Sequence, residues 1–502
     1  MAERLRSALP AVPLAAAAAA LVLLGQYRPA EQPAALGYAV AIVAASAVAV
    51  VAVLEVQRPW WGLLAWFGSM PLINLARAQL WLGPVQLIPS TLLVLALALG
   101  VGLAWRRGSV EPESSPAAGR GSWWALAVAA GLAIASTVVA PWNSEALNVT
   151  LHGVLEPLAV VGLVLALRPA PRRAFWGMAV LGASIVLGAA INLFWLGVRL
   201  WPLTLYERRI LFARLTYFNV GIFADLLVIS VPMLAAVLLL RRRFGWPVWV
   251  GAATWAAIGV VLVALFFTYT KSAWLSTAAV AALLTLTMVS GRLRQAALLA
   301  ATAALLAVVV PYPYPVLHAV APGLADGYQG FVVQLQGVQR VESWDPETQE
   351  GTGSVAIRWV ALGAATEMVR EHPLFGVGPT QFGRHFRQLV PDSSVPFLSS
   401  AHNLIPEVAA EYGLPLAALV ALAFALAVLL GAQSIWDEQD ATRRVVLGCL
   451  AIALLGFLSM ATLFGVDLYR TSRTMNTDVL AAALLVGLTL SAARRRASRP
   501  EG

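Results

Sequence analysis

Long apolar stretches recur through almost the whole chain and constrain its fold more than any other feature. A helix needs about 20 mostly apolar residues, with a range of about 17–25, to cross the hydrocarbon core of a bilayer. The stretches that fit this requirement are 9–26, 36–55, 60–80, 86–105, 122–140, 149–168, 174–197, 218–240, 246–268, 272–290, 295–312, 414–432, 444–464 and 475–492. The sequence therefore predicts an all-α polytopic membrane protein with about 12–14 transmembrane helices.

The composition agrees with a membrane protein and excludes several other classes. Charged residues make up only 12% of the 502 residues, whereas a soluble domain has about 25%. The net charge of +9 does not indicate a nucleic-acid partner, because basic residues of membrane proteins gather at cytoplasmic loop ends. The single cysteine, Cys449, lies inside an apolar run. An internal disulfide and a thiolate metal cluster are therefore excluded.

The placement of arginine predicts the orientation of the spans. With the N-terminus in the cytoplasm, every predicted inner loop is basic, as the positive-inside rule requires. We expect Met1–Leu24, which resembles a signal peptide, to be an uncleaved first span because many spans follow it. Outer loops of the second half also carry basic residues, namely Arg199, Arg208, Arg209, Arg214, Lys271, Arg470 and Arg473. No span needs these charges for its orientation, so they indicate a functional surface facing the periplasm or the outside.

The longest interruption of the apolar pattern is 312–403, and it divides the chain into three parts. The first part, 1–311, holds the earlier spans and the arginine-bearing outer loop 198–217. The second part, 312–403, is predicted to be a mostly helical extracytoplasmic loop. The third part, 404–502, is predicted to contain a peripheral helix, the last spans and a basic cytoplasmic tail.

Three helices are predicted within and just after this loop. An amphipathic helix over 354–371 would place its apolar residues on one face, namely Val355, Trp359, Leu362, Ala365, Met368 and Val369. A tight turn at Gly376–Pro379 precedes a short helix that carries Gln381, Arg384 and Gln388 on one face. We expect 403–412 to lie on the outer surface, because Glu407 and Glu411 share a face and are costly in lipid.

Several short motifs in this region resemble the O-antigen ligase and polymerase superfamily. They are Arg358-Trp359, the run Glu371–Pro379, the run Ala401–Leu404 and the run Ala410–Leu414. Upstream, Arg214 with Phe218-Asn219 resembles another arginine motif of that family, and Thr270–Trp274 resembles a third element in which Lys271 replaces arginine. The resemblance covers roughly residues 205–430. It implies a GT-C-like helical fold and transfer of a glycan from an undecaprenyl-pyrophosphate carrier to an acceptor hydroxyl, with inversion and without metal or cofactor.

Roles for individual residues follow from this resemblance together with the chemistry of the side chains. Arginine gives bidentate hydrogen bonds to phosphate oxygens and keeps its proton, so we assign Arg214 and Arg358 to the pyrophosphate of the donor. His402 is the candidate general base, because a free histidine has a pKa of about 6.5 and is largely neutral near pH 7. Additional candidates for substrate binding are Arg208, Arg209, Lys271, Arg384, Asn403 and Glu411.

Several alternatives stay open at this point. Asn403 could cap the following helix instead of contacting substrate, and Glu407 and Glu411 could orient His402 or pair with an outer arginine. The acceptor could be lipid A-core, as in an O-antigen ligase of lipopolysaccharide biosynthesis, or a second lipid-linked glycan, as in a repeat-unit polymerase. A lipid or anion transporter is a further candidate, and it would need charged residues at mid-membrane and internal repeats. The expected location is the cytoplasmic (inner) membrane.

Overall fold

The computed structural model describes a helical bundle with one folded unit attached to one side of it. It describes residues 48, 50–75, 80–82, 84–107, 116–141, 143–200, 211–212, 216, 220–268, 270–288, 296, 354–391, 398–461 and 477–494. The predicted span 9–26, nearly all of 295–312 and most of 36–55 lie outside these residues.

The first half of the bundle contains long helices and one short hairpin. Helix α1 is Pro59–Leu75, and it is followed by strands β1 (Leu80–Leu82) and β2 (Val85–Leu87). The next helices are α2 (Pro89–Arg106), α3 (Pro116–Val139), α4 (Ser144–Val149), α5 (Glu156–Leu167) and α6 (Pro171–Trp195). A π-helical segment, Thr150–Leu155, joins α4 to α5, and a second one, Leu196–Leu200, extends α6.

The second half adds more spans and three shorter helices. The helices that precede the long loop are α7 (Val220–Leu240), α8 (Val248–Phe267) and α9 (Lys271–Met288). After the loop come α10 (Ser354–Glu371), α11 (Phe382–Leu389) and α12 (Leu404–Tyr412). The last three helices are α13 (Leu414–Asp437), α14 (Ala441–Met460) and α15 (Thr477–Arg494).

The protein is an all-α polytopic membrane protein apart from the hairpin. Among the described residues, eight helices are long and apolar enough to cross a membrane, and α9 and α15 are shorter apolar helices. The predicted span 60–80 ends earlier than expected, at Leu75, because the chain then forms the antiparallel pair of β1 and β2, with Leu80 opposite Leu87.

Burial differs strongly among helices that are similarly apolar. Nearly every residue of α7 from Ile222 to Met233 is buried, and α7 packs against α6, α8, α9 and α14. In contrast, α13 exposes Leu422, Leu426 and Leu429. A helix that is apolar all round is suited either to a protein interior or to lipid. We therefore place α7 at the centre of the bundle and the exposed side of α13 against lipid.

Two ends of the bundle can be distinguished by their contacts. At one end, the hydroxyl of Ser136, close to the end of α3, donates to carbonyls of residues 375 and 411. At the opposite end, Arg243 Nη2 lies 3.0 Å from Asp440 Oδ1, and Arg443 Nε lies 3.1 Å from Glu438 Oε2. The first end is called the motif side below, because it carries the motif residues.

A folded unit sits on the motif side with an apolar cluster of its own. This motif unit comprises residues 354–391 and 398–413, that is α10, α11, α12 and the turn between α10 and α11. Its cluster joins alanines of α10, both phenylalanines of α11, one residue before α12 and one within it, namely Ala361, Ala364, Ala365, Phe382, Phe386, Ala401 and Ala410.

Two details of the motif unit differ from the sequence-based expectation. Helix α12 is packed inside the protein, since its residues Leu404 and Val408 to Tyr412 are buried and both of its glutamates are only 1% exposed. Its predicted place at the outer membrane surface stays a prediction. The carboxylate of Glu411 can be buried because the backbone N–H of Phe382 donates to it. On α10, Trp359 is 57% exposed. Ala365 and Met368 of the predicted face are buried as expected, and Val360, Ala361 and Ala364 are buried beside them, because small side chains let α10 approach α11 and α12 closely.

Candidate active site

Arg358 lies in the second turn of α10, within the motif unit. Its guanidinium is partly buried, and this burial lowers the pKa of Arg358. Ala361, one turn further along the same helix, is fully buried in the apolar cluster of the unit. Arg358 is therefore held close to the interior of the unit, and its charge is only partly solvated. A partly desolvated guanidinium binds an anion more strongly than a fully hydrated one.

His402 lies directly before α12 and has an unusual backbone conformation. Its φ angle is +51°, a region that non-glycine residues rarely occupy and that costs about 1–3 kcal/mol. Such strain persists only where the surrounding structure enforces it, and it is concentrated at functional sites. The preceding residue, Ala401, is buried in the same apolar cluster as Ala361. The motif unit thus brings the segments that carry Arg358 and His402 together.

Asn403 occupies the N-cap position of α12 but does not cap it with its side chain. Its backbone is extended, with φ −157° and ψ 118°, and its side chain makes no capping hydrogen bond. Asn403 is therefore the N-cap residue by its backbone position, but its side chain does not cap the helix. A role in substrate binding stays a prediction.

Glu411 forms a hydrogen bond that links α12 to α11 within the motif unit. Its Oε1 accepts a hydrogen bond of 3.1 Å from the backbone N–H of Phe382, the first residue of α11. A carboxylate at a helix N-terminus is favourable because it satisfies an otherwise unpaired N–H and faces the positive end of the helix dipole. The geometry therefore favours a structural role for Glu411. This role explains the presence of a carboxylate at this position without the predicted contact with substrate. Glu407, one turn earlier, is buried on the same helix.

The turn between α10 and α11 is fixed to α12 through backbone hydrogen bonds. Val377 N–H donates to Ala410 O at 2.8 Å, Gly378 N–H to Glu411 O at 3.0 Å, and Leu414 N–H to Pro373 O at 2.9 Å. Gly376 has φ +66°, and a Cβ at this position would collide with the backbone of Glu411. The motif therefore requires glycine here for two reasons, the positive φ and the close approach of α12.

Substitution of Gly376 tests the importance of this contact. We expect Gly376→Ala to lower the free energy of unfolding by about 2–3 kcal/mol, because strain and a backbone collision add. Gly245→Ala is the matched control, since Gly245 has φ +65° but open space around its Cβ position, and it should cost about 1 kcal/mol. Unfolding temperatures of the purified proteins in detergent measure the difference. Equal effects of the two substitutions would contradict the role of the close approach.

The remaining predicted site residues are less closely connected to His402. Arg384 is exposed on α11, as is Arg387, while Phe382 and Phe386 form the buried face of that helix. Lys271 is the first residue of α9. Arg208, Arg209 and Arg214 lie outside the described residues, so their predicted roles stay predictions.

Sequence reasoning passed over a buried polar cluster in the first half of the chain. Glu156 accepts hydrogen bonds from Ser90 at 2.7 Å and Thr91 at 2.6 Å, and its Oε1 lies 2.7 Å from His152 Nδ1. The other ring nitrogen of His152 lies 3.0 Å from Gln86 O, in β2. The spacing of His152 and Glu156, four residues apart in an apolar run, was the available signal. Because the partners satisfy both side chains, the cluster is a structural link between α5, α2 and the hairpin.

A second buried acidic pair lies at the start of two spans. Asp225, in the second turn of α7, and Asp478, in the first turn of α15, are both buried and lie close to each other.

An apolar groove runs along the bundle from the motif unit. It has a volume of about 210 Å³, and its lining includes Ala129, Gly153, Leu165, Leu404, Val408 and Ala423. From Gly153 in the π-helical segment to Leu165 in α5, the groove follows the chain for about 18 Å, at about 1.5 Å per residue. Leu422 and Leu426, which also line it, are exposed, so the groove opens sideways between helices. Its end on the motif side lies against α12, just after His402.

Comparison with known proteins agrees with this arrangement. Residues 256–421, about a third of the chain, match the family model described as O-antigen ligase. Arg358, His402 and the whole motif unit lie inside the match, whereas Arg214 and the polar cluster around Glu156 lie outside it. No curated protein is significantly similar to the chain. The similarity to the O-antigen ligase family is therefore carried by residues 256–421.

Proposed function

We propose that the protein transfers a glycan from an undecaprenyl-pyrophosphate carrier to an acceptor hydroxyl, in the manner of an O-antigen ligase that uses lipid A-core. The observation that carries the proposal is the motif unit, which holds a partly buried arginine and a strained histidine at the end of an apolar groove. In this proposal the motif side faces the periplasm, on the outer surface of the inner membrane.

The proposed reaction needs a base and a stabiliser of negative charge. The acceptor oxygen forms a bond to the anomeric carbon, and the bond from that carbon to the phosphate oxygen breaks with inversion. The proton of the acceptor hydroxyl passes to His402. The electron pair of the broken bond stays on the lipid pyrophosphate, where Arg358, with Arg214 as second candidate, stabilises the added charge. This scheme uses no metal, and unchanged turnover in the presence of a chelator would support it.

The groove supports a donor that carries a long hydrocarbon chain. Apart from Ser122, its lining residues are apolar, so its surface suits a hydrocarbon chain better than a sugar or a phosphate. A polyprenyl chain in this groove would leave its pyrophosphate at the motif side, near the start of α12. Burial of the chain contributes about 0.8 kcal/mol for each buried methylene group, while the arginines contribute the selectivity for phosphate.

Filling the groove is expected to weaken donor use. Ala423→Phe places a ring into the lining of the groove, whereas Ala425→Phe, two residues further on the same helix, projects from an exposed position outside the lining. We expect the first substitution to raise KM for the lipid-linked donor about tenfold and the second to leave it within about twofold, since one excluded isoprenoid contact is worth on the order of 1–2 kcal/mol. Initial rates at varied donor concentration in detergent give both values. Equal KM values would contradict donor binding in the groove.

Reconstitution tests the function itself. The purified protein is supplied with a lipid-pyrophosphate glycan alone and then together with lipid A-core, and released lipid pyrophosphate and glycan products are measured. Glycan on lipid A-core supports the ligase. Polymer from the donor alone would show a repeat-unit polymerase instead. Movement of lipid between leaflets without release of lipid pyrophosphate would show a transporter and would overturn the proposal.

A further inference from the structure

The motif unit is bound to two elements of the first half of the chain, both outside the matched residues 256–421. One element is the end of α3, with Ser136 and Thr137. The other is the π-helical segment, whose first residue is Thr150. The contacts are hydrogen bonds between buried hydroxyl groups and the motif unit, although neither element carries a recognisable motif.

Ser136 bonds to two segments of the motif unit at once. Its side chain is 1% exposed, and its Oγ lies 2.7 Å from Phe375 O in the turn and 2.9 Å from Glu411 O in α12. A serine inside a helix usually returns its hydroxyl to a carbonyl of its own helix, as the neighbouring Thr137 does toward Ala133 O at 2.8 Å. The hydroxyl of Ser136 instead lies between the turn and α12, at the point where their backbones are hydrogen-bonded to each other.

Thr150 connects α3 to the far end of α12. Its Oγ1 lies 2.7 Å from Thr137 Oγ1 and 3.1 Å from the hydroxyl of Tyr412. Tyr412 is buried, and this burial, together with the charge of Glu411, raises the pKa of Tyr412. Its hydroxyl therefore stays neutral, and a buried tyrosine hydroxyl requires a hydrogen-bond partner. Thr150 supplies that partner.

These contacts bear on His402 because α12 is short. His402 and Asn403 immediately precede Leu404, and Tyr412 is the last residue of the helix. Nine helical residues span about 13 Å, so fixing Glu411 and Tyr412 sets the position and direction of the other end. The left-handed backbone of His402 also needs a rigid surrounding to persist.

We propose that Ser136 and Thr150 are positioning residues for the candidate base His402, acting through the turn at Gly376–Gly378 and through α12. In this proposal the first half of the chain holds His402 in position, although Ser136 and Thr150 do not contact the substrate. The role of His402 as the base rests on the proposed function, whereas the effect of the two hydroxyls on the position of α12 does not.

Kinetics of two variants and two matched controls test this proposal. Ser136→Ala and Thr150→Val each remove one hydroxyl. Ser230→Ala and Thr489→Val are the controls, because these buried hydroxyls donate to a carbonyl of their own helix. We expect kcat to fall about fivefold in the first two variants, which corresponds to about 1 kcal/mol, while KM for the donor stays within about twofold. Both parameters should stay within about twofold in the controls.

Two further variants separate positioning from general destabilisation. Thr150→Ser restores the hydroxyl and should restore kcat to within about twofold of the wild-type value. Tyr412→Phe removes the hydrogen bond between Thr150 and Tyr412, which Thr150→Val removes together with the bond to Thr137. Tyr412→Phe should therefore also lower kcat, and the double variant should lose no more than Thr150→Val alone. A fully additive loss in the double variant would contradict the proposed contact.

Amide hydrogen exchange provides a measurement that does not depend on turnover. The amides of Val377 and Gly378, which bond to Ala410 O and Glu411 O, should exchange faster in Ser136→Ala than in Ser230→Ala. If the wild type transfers glycan but Ser136→Ala and Thr150→Val have the same kcat as their controls, the positioning role is wrong while the proposed function stands. This holds whether or not amide exchange is faster. A wild type that transfers no glycan would overturn the proposed function and this role of His402 together.

Discussion

Replacement of His402 by asparagine is expected to reduce glycan transfer by about 10²–10⁴-fold, the usual contribution of a general base. Asparagine is chosen because it accepts the left-handed backbone better than most residues, and His402 has φ +51°. The variant should therefore fold as the wild type does and lose only the proton acceptor. His402→Ala should lose as much activity and, in addition, some stability.

The pH dependence and a second histidine complete this test. The wild-type rate should rise as the pH is raised through about 5–8, where an imidazole loses its proton, and the residual rate of His402→Asn should not follow that rise. His372→Asn is the control, because this exposed histidine lies at the end of α10, beside the ring of His385 at a centroid distance of 6.0 Å. Equal activity of the two asparagine variants would rule out His402 as the base.

Replacement of Arg358 by alanine is expected to reduce kcat by about 10²–10³-fold, the size of effect seen when a preorganised donor to a developing negative charge is removed. The partial burial that lowers the pKa of Arg358 also strengthens its interaction with a phosphate. Arg358→Lys keeps a charge but loses the planar fork of donors, so it should recover only part of the activity.

Arg370 offers a matched control on the same helix. It is exposed in the last turn of α10 and forms an ion pair of 3.4 Å with Glu367. Exposed pairs of this kind contribute at most about 1 kcal/mol, so Arg370→Ala should change kcat by less than about twofold. Initial rates with lipid-pyrophosphate glycan, together with unfolding temperatures, separate a chemical loss from a folding defect. A wild-type rate in Arg358→Ala would exclude it from the site.

The residues proposed for the active site were easier to identify from the sequence than the contacts that hold them in place. Arg358 and His402 were identified because their neighbours follow a recognisable order, and the structure gathers their segments in one unit. The positions of Glu411 and Trp359 were interpreted less well. A carboxylate was assumed to need water, whereas the N–H of Phe382 satisfies it. A large aromatic was assumed to be buried, whereas alanines form the packed face of α10.

The sequence by itself determined the membrane class, the approximate bounds of the described spans and the identity of the motif residues. Apolar length decides the spans, since 86–105 was predicted and α2 is Pro89–Arg106, and motif order identifies a family. Only the tertiary structure decided which faces meet, because lipid and protein interior both select apolar side chains and leave the pattern nearly uniform. The burial of α12, the groove beside it and the hydroxyls of Ser136 and Thr150 that hold it all depend on contacts between remote segments.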